Sequence, residues 1–321
     1  MFTALTGHKA LFRSKKPHYG KLFTPTVVIS MAVLLFIVVG CVFAPLFATH
    51  DPNVQDVIGS SLALPSAQHW LGADNTGRDI FSRLLYGGRT ILMGAMGVVA
   101  FSALVGIPLG LVAGYYGGRI DGVIMRICDV ILSFPSLLLA FIFVAGTQSR
   151  GIGNAIIALG IVYVPMLTRL VRSLTMVEKN KIYVSACVSL GYSDLRIMYR
   201  HILPNCISTV LVQLTLDVAY AILDLAALSF LGLGIQPPQA DWGNMLNDGR
   251  AFLLRNPYIS LAPGGAIVLT VVSINILSDG LHQYLDPAQT ELPTFKKYER
   301  RANREAKREA RKAKAKGGVS L

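Results

Sequence analysis

The sequence predicts an all-α membrane protein with six transmembrane helices, and three observations predict it. Of its 321 residues, 53% are hydrophobic and 15% charged, whereas an ordinary soluble domain carries about 25% charged residues. Apolar runs long enough to cross a bilayer core of about 30 Å recur along the chain. The net charge of +12 lies entirely in the two ends, +5 in residues 1–24 and +7 in residues 287–321. A soluble enzyme, a disulfide-rich secreted module and a disordered chain all fit this composition poorly.

The first run, 27–47, carries no charge and follows a basic stretch, as in a signal peptide. It is too long for one, and Ala44-Pro45 leads into no good cleavage site, so it reads as a retained first span. The others lie at 90–115, about 123–146, 153–171, 206–235 and 258–281. Arg126 and Asp129 sit three apart in the third, a spacing at which they pair with each other. Asp217 and Asp224 sit seven apart on one face of the fifth. Charges inside a bilayer cost about 2.5–3.5 kcal/mol each, so these two acids either line a polar translocation path or bridge helices. Backbone groups find no water in lipid, which makes the spans helices of one bundle. The alternating ten-residue strands of a barrel are absent. Gly94, Gly97, Gly106, Gly110 and Gly114 recur through the second span and suit close helix approach.

Direction follows from the basic residues. With the N-terminus inside, the inner loops and tails hold 24 of the 30 Lys and Arg. Positive charge favours the cytoplasmic side, so both termini are expected there, and an even number of spans satisfies that. A neutral body with basic ends fits a membrane protein better than a nucleic-acid binder, and no aromatic stacking pattern accompanies the charge.

Two loops hold more order than connectors need. In the outer stretch 48–89, Ile80, Phe81, Leu84 and Leu85 form an apolar stripe at helical spacing, which predicts an amphipathic helix on the outer membrane face. Trp70 and Tyr86 suit an interfacial position. In the inner stretch 172–205, residues 183–190 read as a short helix ended by Gly191. Ser193 and Asp194 cap a second helix over 195–201, which Pro204 stops. The pair makes a knob whose apolar tip wants a docking surface.

Cys41, Cys128, Cys187 and Cys206 are widely spaced and read as buried apolar residues, not as zinc ligands or disulfides. The lone Gly-Lys pair, Gly20-Lys21, lacks the rest of a phosphate loop, and no H-E-x-x-H motif occurs. The chain is therefore expected to hold no catalytic residue, metal or cofactor. After Lys296 the tail reads RRANREAKREARKAKAK, with Glu305 four residues from Arg301. That pattern favours a helix when folded, and its charge draws it towards anionic lipid.

The stretch YVSACVSLGYSDLRIMYRHILPN at 183–205 resembles the cytoplasmic EAA loop of ABC importer permeases. Ala186, Gly191, Leu203 and Pro204 match; Ser185 stands where Glu is usual and Cys187 where the second Ala is. HWLGADNTGRDIFSRLLYGGRTIL at 69–92, GYYGGRIDGVIMRICDVILSFP at 114–135, LSFLGLGIQPPQADWG at 228–243 and DGLHQYLDP at 279–287 resemble the second permease subunit of dipeptide and oligopeptide importers. The resemblance covers roughly 25–287 and implies a type I ABC importer permease fold. It also implies a homologous second permease, two ATP-binding subunits that hold the ATP and Mg, and an extracytoplasmic binding lipoprotein delivering peptide. Nickel chelates, opines and oligosaccharides are alternative cargoes carried by related permeases. An autonomous channel or secondary transporter is the rival class, and the knob argues against it.

By the same resemblance Ala186, Gly191, Asp194, His201, Leu203 and Pro204 couple the chain to an ATPase. The organisation expected is a basic cytoplasmic N-terminus at 1–24, a first span with its outer loop at 25–87, a five-helix permease unit at 88–285 containing the loop 183–205, and a basic cytoplasmic tail at 286–321.

Overall fold

The computed structural model describes residues 24–147 and 151–285. The basic stretch before Thr24 and the tail after Leu285, with its expected helix, lie outside the described residues. The first helices are α1 (Pro25–Val42), α2 (Ala44–Phe47), α3 (Ile80–Tyr116), α4 (Gly118–Leu132), α5 (Ser136–Gly146) and α6 (Ile152–Lys179). There follow α7 (Ile182–Ser189), α8 (Asp194–Ile197), α9 (Leu203–Phe230), α10 (Trp242–Gly249) and α11 (Tyr258–Leu285). The all-α prediction holds among the described residues, with no strand in either folded stretch.

Five of these stretches are long and apolar enough to cross a membrane: α1, α3, α6, the stretch Asp194–Phe230 and α11. The expected third span is not one straight helix. It is the pair α4 and α5, bent by 87°, so the count reaches six only when that pair is taken together. Pro135 explains the break: it disfavours helical backbone at Phe134, and α5 starts afresh after it. The first run divides as well, into α1 and α2 at Phe43. Pro45 there lacks the N–H that would reach the carbonyl of Cys41. The fifth span ends at Phe230 rather than near 235.

The amphipathic surface helix predicted around Ile80–Leu85 is instead the first turns of α3, which runs unbroken for 37 residues, about 55 Å. The side chain of Asp79 caps it by accepting the N–H of Ser82 at 2.8 Å. Ile80 is fully buried while Phe81, Leu84 and Leu85 are half-buried, so the stripe packs partly on protein. Trp70 is exposed and lies against Phe81, with ring centres 5.0 Å apart and planes tilted by 45°.

The glycine stripe of the second span packs as expected. A Cβ on Gly106 would meet Val164 and Leu167, one on Gly110 would meet Val171 and Thr168, and one on Gly114 would meet Arg172 and Thr175. Each of these neighbours is on α6. Gly94 faces Ile152 of α6 and Leu225 of α9. Backbones approach so closely along this seam that any side chain would collide.

The core falls into two clusters along α3. One joins Ile91, Val98, Leu159, Ile222, Leu225 and Trp242 near the α3 N-terminal half. The other joins Leu111, Tyr115, Val171, Ile197, Met198 and Ile202 at its C-terminal end. Outside, Phe36, Leu104, Met93, Leu261 and Val268 are exposed, an apolar exterior that suits lipid.

The 48–79 segment is an ordered cap at the α3 N-terminus. Arg78 donates to Asp74 at 2.6 Å and to Asp248 of α10 at 3.5 Å. Buried Arg83 donates to the carbonyl of Pro52 at 3.0 Å. Asn256 donates to the carbonyls of Ala63 and Ala73 at 2.9 and 3.1 Å. All four cysteines are buried and free, as their spacing suggests.

Candidate coupling knob and polar span residues

At the C-terminal end of α3, helices α7 and α8 form the predicted knob. Helix α7 stops in a Schellman motif: the N–H of Gly191 bonds the carbonyl of Val188 at 2.9 Å, and that of Tyr192 bonds Cys187 at 3.2 Å. Gly191 has φ +74° and nothing near its missing Cβ. Glycine is needed there for its backbone, not for space. Ser193 occupies the N-cap of α8 without a side-chain bond.

Pro204 does not stop the second helix. The turn Met198–Ile202 widens to a π-helix, and α9 continues with Pro204 in its first turn. Proline has no N–H to give and its ring clashes with a carbonyl of the preceding turn; a π-turn makes room for it. Helix therefore runs from Asp194 to Phe230 over 37 residues, and the knob and the fifth span share one continuous stretch.

All six predicted coupling residues lie in this unit. Ala186 and Pro204 are exposed and Leu203 half-buried. Asp194 accepts the hydroxyl proton of Tyr115 at 2.9 Å. His201 stacks on Tyr192 with ring centres 5.6 Å apart, and its Nε2 is buried without a hydrogen-bond partner. The carbonyl of His201 accepts from Asn205 at 2.6 Å.

The underside is fixed to the bundle. Val184, Cys187, Ile197, Met198 and Ile202 are buried with Leu111 and Tyr115 of α3 and Val171 of α6. Tyr183 donates to Glu178 of α6 at 2.7 Å, and burial together with that acceptor pushes its hydroxyl up to about 12. Lys179 donates to the carbonyl of Tyr115. The far side is apolar and open: Ile182, Val188, Leu190 and Leu195 are 89%, 55%, 71% and 64% exposed. The tip therefore presents apolar surface that nothing else among the described residues covers, above a base packed on α3 and α6. Sequence reasoning missed Tyr115, Glu178 and Tyr183, whose partners lie across element boundaries and leave no local spacing.

The two acids of the fifth span are placed separately. Asp217 is buried and accepts from Gln213, one turn away on α9, at 2.8 Å. Asp224 accepts the hydroxyl of Tyr163 on α6 at 2.8 Å, so it bridges two spans. The expected Arg126–Asp129 pair does not form. Asp129 instead pairs with Arg169 of α6 at 2.5 Å, because the neighbouring helix presents a guanidinium to that face. Asp121 takes Arg172 of α6 in the same way, with one bond of 2.6 Å.

An apolar helical bundle with five spans, or six when the bent pair α4 and α5 is taken together, is the architecture of a multi-pass membrane permease. The chain belongs to the family described as the binding-protein-dependent transport system inner membrane component, which it matches over residues 106–291. Residues 24–65 match the N-terminal transmembrane domain of oligopeptide transport permease C.

Its relatives include the glutathione transport system permease protein GsiD of Pectobacterium atrosepticum, 45% identical over 70% of this chain and 74% of that one. The probable D,D-dipeptide transport system permease protein DdpC of Escherichia coli is 40% identical over 82% and 88%. The dipeptide transport system permease protein DppC of Alkalihalophilus pseudofirmus is 40% identical over 89% and 91%. Among solved structures, the inward-facing MetNI methionine ABC transporter shares the fold, with TM-score 0.53 at 17% identity, over 64% of this chain and 96% of that one.

Proposed function

We propose that this chain is one permease subunit of an ATP-driven peptide importer. It would pair with a homologous permease and with two ATP-binding subunits that hold ATP and Mg, and receive cargo from an extracytoplasmic binding protein. Three relatives named for glutathione or dipeptide transport support a short peptide as cargo. The basic ends support both termini on the cytoplasmic side, with the knob there too.

The observation that carries this reading is the exposed apolar tip of α7 and α8 on a buried base. Such a tip seats in a cleft on an ATPase subunit. The continuous Asp194–Phe230 stretch, about 55 Å long, then carries displacement of the tip towards Tyr163 and Asp224 as a stiff lever. ATP chemistry stays on the partners, and this chain alternates between outward and inward access.

Co-purification from cells that express the complete transporter tests it. Recovery with a second permease and two ATPases is expected; recovery of this chain alone from gentle detergent would refute the coupling.

A further inference from the structure

The 48–79 cap holds a cluster that the transport reading does not use. His50, His69 and Asp79 each offer one ligand atom, and the three atoms lie within 4.8 Å of one another. We propose that these side chains bind a divalent transition-metal ion, with Zn2+ the best match, clipping the cap to the start of α3.

The distances suit the ion. His69 Nδ1 is 2.9 Å and His50 Nδ1 4.0 Å from the same oxygen, Asp79 Oδ1. Tetrahedral ligands at 2.0–2.1 Å from zinc stand about 3.4 Å apart, so these separations bracket the value and small side-chain rotations reach it. The two imidazoles stack at 4.7 Å with 30° between their planes, which keeps both nitrogens on one side. Two imidazoles and a carboxylate favour zinc and its neighbours, whereas Mg2+ and Ca2+ prefer oxygen donors throughout.

The carboxylate is held in place before any ion arrives. Asp79 Oδ2 accepts the Ser82 N–H at 2.8 Å and the Thr49 hydroxyl at 3.1 Å, leaving Oδ1 turned to the imidazoles. The backbone N–H of His50 donates to Ser82 Oγ at 3.0 Å. Outer contacts of this kind orient the ligands of metal centres and raise their affinity. Asp79 is fully buried at its side chain and His50 is 43% exposed, so the site is dry on one side and open on the other.

The open side leads into a cavity of about 450 Å3 lined also by Asp51, Asp56, Ser60 and Gln68. Its two further acids draw cations, while buried Arg78 is occupied by Asp74. Three protein ligands leave a fourth position facing that cavity, where water or a carboxylate completes the shell. Because the ligands come from three separated stretches of chain, an ion there would resist lifting of the cap from α3.

The full-length chain, purified in nanodiscs with a tag free of histidine and stripped with chelator, tests this by calorimetric titration with ZnCl2 and with MgCl2. Expected are stoichiometric zinc binding, none with magnesium, and a melting temperature raised by zinc. His50→Gln, at a half-exposed position that leaves the Asp79 cap intact, is expected to weaken zinc binding at least about tenfold and to abolish the thermal shift. His69→Gln, which keeps a polar group beside Asp79, is expected to do the same. The absence of stoichiometric zinc binding, or binding that both variants retain, would overturn the site and leave a plain His69–Asp79 hydrogen bond. Neither result bears on peptide transport.

Discussion

Replacing Gly110 by alanine tests the packing on which the bundle rests. The added Cβ would stand 2.6 Å from Val171 Cβ and 2.7 Å from the carbonyl oxygen of Thr168, where ordinary contacts lie at 3.4–4 Å. Backbone oxygen cannot rotate away, so α3 and α6 must part by most of an ångström along their longest contact. Overpacking of this kind costs about 1–3 kcal/mol. At about 2–4 °C per kcal/mol for a chain of this size, the melting temperature should fall by about 2–12 °C. The assay is fluorescence-monitored unfolding in nanodiscs, with Gly146→Ala as control because nothing lies within 4 Å of that missing Cβ. The control should melt at or slightly above the wild type, alanine being the better helix former. If Gly110→Ala melts within about 1 °C of the wild type, the close approach of α3 and α6 is wrong and so is the register of the seam.

Further outcomes follow from other contacts. Tyr163→Phe should destabilise by about 1 kcal/mol, since it leaves the half-buried Asp224 carboxylate without its donor; Asp224→Asn, whose amide oxygen still accepts, should cost less in the same melt. Gly191→Val forces a β-branched residue to φ +74°, at about 1–2 kcal/mol; the melting temperature should fall by about 2–8 °C in nanodiscs, and transport should fall in proteoliposomes. Asp241 caps α10, and burial pushes its carboxyl up to about 6 against the pull of the Asn244 and Gly243 N–H groups and Arg83. A raised carboxyl binds its proton more readily folded than unfolded, so stability should rise as pH falls through about 6 towards the ordinary 3.8. Asp241→Asn, which keeps a good cap, should flatten that slope in melts from pH 5 to pH 8.

Much of this architecture was legible in composition and periodicity, because a bilayer makes length and charge decide which segments span. The glycine stripe was legible for the same reason: small residues at three- and four-residue spacing have few other uses in lipid. The knob could be read from Gly191 and the residues around it, since a Schellman stop depends on local backbone alone. What failed was reasoning about proline and about partners. Pro204 read as a terminator because a π-turn is a non-local accommodation, stabilised by burial of Met198 and Ile202. Pro135, overlooked, bends the third span because Phe134 cannot stay helical before it. Asp129 was assigned the nearest arginine in sequence, yet Arg169 on the adjacent helix reaches it first. Nor could spacing reveal His50, His69 and Asp79 as neighbours: the loops that converge them follow no period, and the expectation of a chain without a metal site rested on motif searches alone.

The most direct test of the account puts charge on the exposed tip of the knob. Leu190→Glu with Leu195→Glu alters two side chains that are 71% and 64% exposed and touches nothing in the bundle core. In the complete transporter, reconstituted with its binding protein and peptide, the account predicts unchanged melting of the isolated chain, loss of the ATPase subunits on co-purification, and no peptide-stimulated uptake. Retention of both ATPases with uptake at the wild-type rate would contradict it.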